Sequence, residues 1–220
     1  MGASKAFLGS MRAVVSIVLL NLALFYGEAQ AVCPTDPNIP FTRSGESGEA
    51  YELGRQDGIW VIRATVQLRY SHYFSAEELE EARGIMEQTR QWIQDYYAPY
   101  GFDLQITFDH AYFDGSSRNS YNTPKKDSFV VYIRRNTGYH MKSVYWGVNR
   151  DFDFVERAVL ITHEFSHLLG LKDEYQSAIG AASPEEEASY ENDSLMKNTD
   201  HPQPKLYPRH MKTILRPICT

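Results

Sequence analysis

The chain is poor in cysteine and in long apolar runs, and it has no excess of positive charge. Two cysteines among 220 residues can form one intramolecular disulfide at most. Lysine and arginine number 22 against 28 aspartate and glutamate, a formal net charge of −6. No basic patch indicates a nucleic acid or an anionic membrane as partner. Beyond the amino terminus no apolar run approaches membrane-spanning length, and no segment is repeated.

The amino terminus has the three parts of a secretory signal peptide. Lys5 and Arg12 give it a positive start, and residues 13–26 are nearly all apolar. The small residues of a signal-peptidase site follow at 29–31. We predict a cleaved signal peptide over residues 1–31 and a secreted monomer, extracellular or periplasmic, with one domain. The alternative is an uncleaved amino-terminal anchor.

The two cysteines, Cys33 and Cys219, lie near the two ends of the predicted mature chain. In an exported protein such a pair favours one disulfide that ties the termini together. An alternative is that Cys33 binds a metal in a latent form of the protein, since a thiolate is a metal ligand. The sequence around Cys33 resembles no known latency motif, so we favour the disulfide.

Residues 32–57 are rich in proline, glycine, serine and aspartate. This composition predicts an extended arm rather than a packed element, with a short removable pro-segment as the alternative. Residues 59–70 then alternate apolar and polar side chains, which predicts a strand with one solvated face. We therefore place the main domain at residues 58–220.

A capping box begins each of two predicted helices, with Ser75 and Glu78 in the first and Asp153 and Glu156 in the second. The helices are predicted over 76–97 and 153–169. The elements between them are strands at 102–108 and 129–133, a polar loop at 115–127 and a short edge strand within 140–148. After residue 170 the pattern is irregular, apart from a last helix within 204–215 that has Pro208 in its first turn. This order predicts an α+β fold.

The sequence His-Glu-x-x-His lies on the second predicted helix, as His163, Glu164 and His167. Two residues at this spacing lie about 40° apart around a helix and about 6 Å along it, so both histidines can reach one ion. The glutamate is badly placed to bind that ion, but it can hold a water molecule that zinc acidifies. The pattern predicts a catalytic zinc site, and its rarity disfavours the alternative of an ordinary packed helix.

Gly170 follows the histidines, and Asp173 comes three residues later. Glycine allows the left-handed backbone that reverses a chain at the end of a helix, so the next residues can return a ligand to the metal. A carboxylate oxygen is an ordinary zinc ligand. We predict Asp173 as the third ligand, with the neighbouring Glu174 as the alternative.

These residues resemble the metzincin metallopeptidases. The family pattern is His-Glu-x-x-His-x-x-Gly-x-x-(His or Asp), followed by a methionine turn. This chain has His163, Glu164, His167, Gly170 and Asp173 at those positions. The sequence Ser194-Leu195-Met196 looks like the turn, which in the family lies beneath the metal.

The resemblance implies a metzincin-like α+β fold. A twisted mixed sheet with a backing helix and an active-site helix would occupy residues 58–170, and a small irregular C-terminal subdomain would follow at 171–220. The chain departs from the family at Asn198, because many metzincins have a tyrosine two residues after the turn methionine. Tyr190 and Tyr207 are candidates for that role.

The aspartate variant is similar to the small secreted bacterial neutral proteases of snapalysin type. Their pattern reads Gly-Leu-x-Asp-x-Tyr, which residues 170–175 match. The resemblance implies that Tyr175 stands beside the zinc and donates to a developing oxyanion. The alternative is that Tyr175 is a packing aromatic.

Five histidines and one acidic segment are not assigned to the zinc site. The histidines lack ligand spacing, so we expect them at surface or loop positions; they are His72, His110, His140, His201 and His210. Asp193, Asp200 and residues 184–187 could hold a structural calcium ion. A solvated acidic loop is the interpretation that we favour.

The main hypothesis is a secreted zinc endopeptidase that acts on protein or peptide substrates with one catalytic zinc ion. Glu164 takes a proton from the attacking water and passes it to the leaving amine. An extended substrate would pair with the edge strand around Tyr145 and Trp146.

The competing hypothesis is a zinc-stabilised binding or toxin-like module without proteolytic activity. In such a module Cys33, Glu174 or a loop would close the fourth position of the metal. A purely structural site needs no carboxylate at the position of Glu164, so this residue favours catalysis.

Overall fold

The computed structural model describes residues 33–44, 51–70, 73–112, 127–135, 141–148, 152–175 and 183–219. The predicted signal peptide and nearly all of the predicted polar loop lie outside these residues. The described part is α+β, with one open, mixed sheet of six strands and four helices. The strands are β1 (Ile39–Ser44), β2 (Tyr51–Gln56), β3 (Ile59–Tyr70), β4 (Phe102–Tyr112), β5 (Phe129–Arg134) and β6 (Tyr145–Gly147). The helices are α1 (Ala76–Tyr97), α2 (Phe154–Leu168), α3 (Pro184–Ser189) and α4 (Pro208–Leu215).

Strand β3 is the centre of the sheet, and it has the bounds that the alternating pattern predicts. It pairs with β4 in parallel along one side. On its other side the first half pairs with antiparallel β2 and the second half with parallel β5. Strands β1 and β6 extend the sheet beyond β2 and β5. The polar face of β3 is less solvated than predicted, since Gln67 and Arg69 are buried.

Helices α1 and α2 hold each other in place through one aromatic residue near the end of α1. Both predicted capping boxes are present, so α1 starts after Ser75 and α2 after Asp153. The Tyr97 ring meets Phe165 of α2 edge to face, with centroids 6.4 Å apart. Its hydroxyl lies 2.7 Å from the Ser166 hydroxyl, so a hydrogen bond joins the two helices. Helix α2 is therefore anchored at Phe165 and Ser166, the two residues between Glu164 and His167 in the His-Glu-x-x-His sequence.

The expectation of an unpacked arm over residues 32–57 is wrong for the described part of this segment. Strands β1 and β2 lie in the sheet, and the side chains of Tyr51 and Leu53 are buried in the core. Burying a leucine contributes about 2 kcal/mol. Strand β2 also pairs with the first half of β3, whose backbone groups need partners. Composition misled the prediction because this pairing depends on β3 and not on the local residues.

The predicted disulfide is present, and it joins Cys33 to Cys219 with Cα atoms 4.4 Å apart. The alternative of a Cys33 thiolate on a metal is therefore wrong for this structure. The bond links the segment before β1 to the end of the chain just after α4. Disulfides persist in oxidising compartments such as the cell exterior and the periplasm.

The C-terminal part has more regular structure than the sequence pattern indicates. The acidic run at 184–187 lies in the short helix α3, which Ser183 caps with a hydrogen bond from Glu186, so this run is not a loop. Helix α4 begins at Pro208, as predicted, because proline fits a first turn where no N–H is needed. None of the described helices has the length and apolarity needed to cross a membrane.

We expect residues 33–56 to remain in the mature protein, because β2 covers the core and Cys33 is bonded to the C-terminal segment. Intact-mass measurement and amino-terminal sequencing of the secreted protein, under non-reducing conditions, test this. A folded mature species that begins near residue 58 would contradict the expectation.

The double variant Cys33→Ser/Cys219→Ser should lose about 2–5 kcal/mol in free energy of unfolding. The physical reason is that the bond joins residues 186 positions apart and so restricts the unfolded chain. Urea denaturation measures the change, and fully reduced wild-type protein is the control that should match the variant. Equal stability of the double variant and the oxidised protein would count against a stabilising bond.

Candidate metal centre

Helix α2 presents His163 and His167 on one face, one turn apart. Their ring centroids are 4.8 Å apart and the rings are nearly perpendicular, at 87°. The two Nε2 atoms face each other at 3.2 Å. The spacing of four residues thus does what helix geometry predicts, and brings two nitrogens to one point.

Backbone carbonyls fix the tautomer of both histidines. The Nδ1 atom of His163 lies 2.9 Å from the Leu195 carbonyl oxygen, and that of His167 lies 2.8 Å from the Leu171 oxygen. A carbonyl can only accept, so each Nδ1 carries the proton and donates it. Each Nε2 of the neutral ring is then left with a free lone pair, the form in which histidine binds metals.

The chain reverses after α2 and returns Asp173 to the histidines. Gly170 has a positive φ of 91°, as predicted for its place after the helix. The N–H groups of Gly170 and Leu171 donate to the carbonyls of His167 and Ser166, which closes the helix end. Asp173 Oδ1 then lies 3.1 Å from His163 Nε2 and 3.3 Å from His167 Nε2.

These three atoms have the spacing that a tetrahedral metal ion requires. They are 3.1–3.3 Å apart, and bonds of about 2.0 Å would separate tetrahedral ligands by about 3.3 Å. The buried Oδ1 of Asp173 accepts no hydrogen bond from the described residues. Among those residues, His163, His167 and Asp173 are the one group of three or more such side chains close enough to share an ion. The donor set therefore fits zinc.

The local electrostatics also favour a cation. Burial would raise the pKa of Asp173, but the imidazoles of His163 and His167 outweigh burial and lower it below its ordinary value. Burial would lower the pKa of His167, but Asp173 and the Leu171 carbonyl raise it above its ordinary value. Both shifts indicate that the site stabilises a positive charge, which either a proton or a bound ion can provide.

Glu174, the alternative third ligand, is not grouped with His163 and His167 among the described residues. Its Oε1 accepts from Arg209 Nε at 2.6 Å and lies 2.8 Å from His210 Nε2. Its Oε2 accepts from Arg209 Nη2 at 2.9 Å and from the Ser194 hydroxyl at 2.5 Å. The structure therefore brings Asp173 to the site and engages Glu174 elsewhere.

Glu164 and Tyr175 lie beside the three ligand atoms. The Glu164 side chain is buried, and burial raises its pKa despite the opposing effect of His163 and His167. The Tyr175 ring stacks on that of His163, with centroids 6.3 Å apart and an angle of 23°. Burial and the Asp173 carboxylate raise the pKa of Tyr175 above its ordinary value, so its hydroxyl remains a donor.

The segment that resembles a methionine turn packs directly against the ligands. The N–H groups of Lys197 and Asn198 donate to the Ser194 carbonyl, which makes a tight turn. Leu195 supplies the carbonyl that orients His163, and the Met196 carbonyl accepts from the Glu174 N–H at 2.9 Å. Met196 is fully buried. Sequence reasoning missed the role of the Leu195 and Leu171 carbonyls, because a backbone acceptor leaves no signal in the residue type.

The remaining histidines have varied positions. The prediction of a surface or loop position is wrong for His110, which lies in β4 between the Tyr70 hydroxyl and Glu87. It is also wrong for His210, which is buried in α4. His201 accepts from the Gln203 N–H in an irregular segment. His72 and His140 lie outside the described residues.

Other candidate residues of the C-terminal part have partners other than His163 and His167. Tyr190 and Tyr207 both flank the guanidinium of Arg209, each with its ring centroid 4.8 Å away. Asp193 accepts from Lys205 and from the Tyr207 hydroxyl. The Lys205 ammonium group thus supplies positive charge at Asp193, as a calcium ion there would.

The predicted pairing of a substrate with β6 is not available at Tyr145 in this structure. The Tyr145 N–H donates to the Lys142 carbonyl at 2.8 Å, and the Lys142 N–H donates to the Tyr145 carbonyl at 3.0 Å. The ring of Trp146 is buried in the core. The chain itself therefore satisfies the backbone groups of Tyr145.

In comparisons with known proteins, no family model matches this chain, and neither a curated protein nor a solved structure matches it. A functional conclusion therefore rests on the residues and geometry of the site.

The ion pair of Glu174 should make stability depend on pH. The pKa of Glu174 is lowered from 4.5 to about 2; burial would raise it, but Arg209, His210 and Ser194 outweigh burial. Between these values the unfolded chain binds a proton that the folded chain does not, so stability is lost as pH falls from 4.5 towards 2. One such group gives a slope of at most about 1.4 kcal/mol per pH unit.

Chemical denaturation of metal-free protein between pH 5 and pH 3 measures this slope. The variant Glu174→Gln should be less stable at pH 5 and should show a smaller slope than the wild type. Identical slopes for the two proteins would contradict the assignment.

Proposed function

We propose that this protein is a secreted zinc endopeptidase of metzincin type, similar to the snapalysin-type proteases. The observation that carries the proposal is the convergence of three ligand atoms, from His163, His167 and Asp173, at 3.1–3.3 Å. Beside them lies Glu164, a buried carboxylate that interacts electrostatically with all three side chains. A metal site with an adjacent base is what zinc-dependent hydrolysis of a peptide bond requires.

The surroundings of the site support the same class. The mixed sheet, the backing helix α1 and the helix α2 agree with the element order of the metzincin resemblance. The turn at Ser194–Met196 contacts His163 and the backbone of Glu174, which agrees with the position that the resemblance implies for a methionine turn. Secretion is supported by the apolar amino terminus and by the disulfide, which is typical of exported proteins.

The mechanism divides between the ion and the chain. Zinc on these three side chains would acidify a water molecule and polarise the carbonyl of the scissile bond. The Glu164 carboxylate accepts a proton from the attacking water and donates it to the leaving amine. Its raised pKa makes it a stronger base than an exposed glutamate. Tyr175 keeps its proton at neutral pH and donates a hydrogen bond to the developing oxyanion.

The competing hypothesis is a non-catalytic zinc site in which Cys33, Glu174 or a loop closes the fourth position of the ion. Two of these three candidates have other partners in the structure. The Cys33 sulfur is bonded to Cys219, and the oxygens of Glu174 are bonded to Arg209, His210 and Ser194. Neither group is free to take the fourth position of the ion. An open fourth position is what distinguishes catalytic from structural zinc sites.

The variant Glu164→Gln should lose peptidase activity by at least about 10²–10⁴-fold, because the amide cannot accept the proton of the attacking water. It should still bind one zinc ion per chain, since Glu164 is not a ligand. Cleavage of unfolded casein and metal analysis of the same samples measure the two properties.

A matched control is Glu77→Gln, an exposed glutamate in the first turn of α1, which should cleave casein at the wild-type rate. A chelator should abolish wild-type activity, and zinc should restore it. If Glu164→Gln cleaves as fast as the wild type, the mechanism is wrong. A wild-type protein that binds zinc but cleaves no unfolded protein would favour the non-catalytic module.

A further inference from the structure

Arg209 of α4 is held from several directions at once. Its guanidinium lies over the rings of Tyr190 and Tyr207, each with its centroid 4.8 Å away. Its Nη1 donates to Glu191 at 2.7 Å. Stacking on two aromatic faces and a fixed fork of donors leave the guanidinium little freedom. The result is a rigid cation about one third exposed, on a helix that carries none of the predicted ligands.

Arg209 in turn fixes the carboxylate of Glu174. Nε and Nη2 of Arg209 donate to the two oxygens of Glu174, which is the bidentate arrangement that fixes a carboxylate in angle as well as distance. His210 adds a third donor, because the Tyr207 N–H occupies its Nδ1 at 2.9 Å and leaves the proton on Nε2. The Ser194 hydroxyl adds a fourth. Both oxygens of Glu174 thus accept two hydrogen bonds each.

Glu174 is fixed at its backbone as well, and its backbone continues directly into Asp173. The Glu174 N–H belongs to the peptide that joins the two residues, and it donates to the Met196 carbonyl at 2.9 Å. Metal-binding carboxylates are ordinarily oriented by hydrogen bonds to their own oxygens. Asp173 Oδ1 accepts none from the described residues. The Asp173 carboxylate does interact with the Tyr175 hydroxyl. The backbone that Glu174 holds is a second restraint on the direction of the Asp173 side chain.

We propose that Arg209 is a positioning residue of the metal centre, which acts through Glu174 to hold Asp173 against His163 and His167. The C-terminal helix is then part of the site, although it contributes no ligand. This inference rests on the proposed zinc function, because it assumes that the ion bound there is zinc. The competing explanation is that the ion pair only stabilises the fold, as buried pairs can.

Zinc affinity separates these explanations. Full-length variants are titrated with zinc in competition with a chromophoric chelator, which needs no catalytic activity. Arg209→Ala should bind zinc about 10–100-fold more weakly, the size of effect usual for residues that orient metal ligands. Arg209→Lys should lie between that variant and the wild type, since lysine keeps the charge but not the bidentate fork.

The matched control is Lys205→Ala, which removes another ion pair of the C-terminal segment. Lys205 Nζ lies 2.7 Å from Asp193 Oδ2, and the Lys205 side chain is exposed. This variant should bind zinc within about twofold of the wild type. An equal loss of affinity in Lys205→Ala and Arg209→Ala would overturn the proposal, because it would reflect general loosening of the C-terminal part.

The decisive measurement repeats Arg209→Ala in an Asp173→Ala background, where two histidines still bind zinc more weakly. If Arg209 acts through Asp173, its replacement there should change zinc affinity less than twofold. A loss as large as in the wild-type background would overturn the proposal, as would unchanged affinity of the single variant. Wild-type protein that binds no zinc would overturn the proposed function itself, whereas zinc binding that Arg209→Ala leaves unchanged overturns only the positioning role.

Discussion

The convergence of three acceptor atoms within 3.1–3.3 Å is the constraint on which the structure depends. Two unprotonated nitrogens and a carboxylate oxygen repel one another at this distance unless a cation lies between them. The chain itself must therefore hold His163, His167 and Asp173 together when no ion is bound. Much of the described structure can be understood as the means of doing so, through one helix, one reversal of the chain and two orienting carbonyls.

The contacts that position these three side chains come from parts of the chain that are far apart in sequence. Strand β3 carries the sheet, α1 packs beside it, and Tyr97 ties α1 to the back of α2. The turn at Ser194–Met196 meets the site from the other side, where it orients His163 and binds the backbone of Glu174. The disulfide then ties the segment after α4 to the segment before β1. Residues 171–220, where the sequence pattern is irregular, therefore supply several of the contacts that hold the site.

The features that could be predicted from sequence are those that local chemistry decides. Capping boxes gave the starts of α1 and α2, alternation gave β3, and a proline gave the start of α4. The failures share a non-local cause. Residues 39–44 and 51–56 form strands because β2 pairs with β3 and β1 pairs with β2, and His210 is buried because Glu174 and Tyr207 contact it. Neither partner can be inferred from the neighbouring residues.

The sequence by itself determined the spacing of His163 and His167, the presence of Glu164 between them and the reversal at Gly170, because helix geometry and glycine's freedom of backbone rotation are local properties. Asp173 and Glu174 follow as adjacent carboxylates, and the sequence could not decide which of them faces the two histidines. The tertiary structure decided, because Arg209, 35 residues after Glu174, binds that carboxylate on both oxygens and leaves Asp173 to face the histidines. The binding of Glu174 by Arg209 thus decides which of the two carboxylates faces His163 and His167, and only the folded chain can arrange this contact.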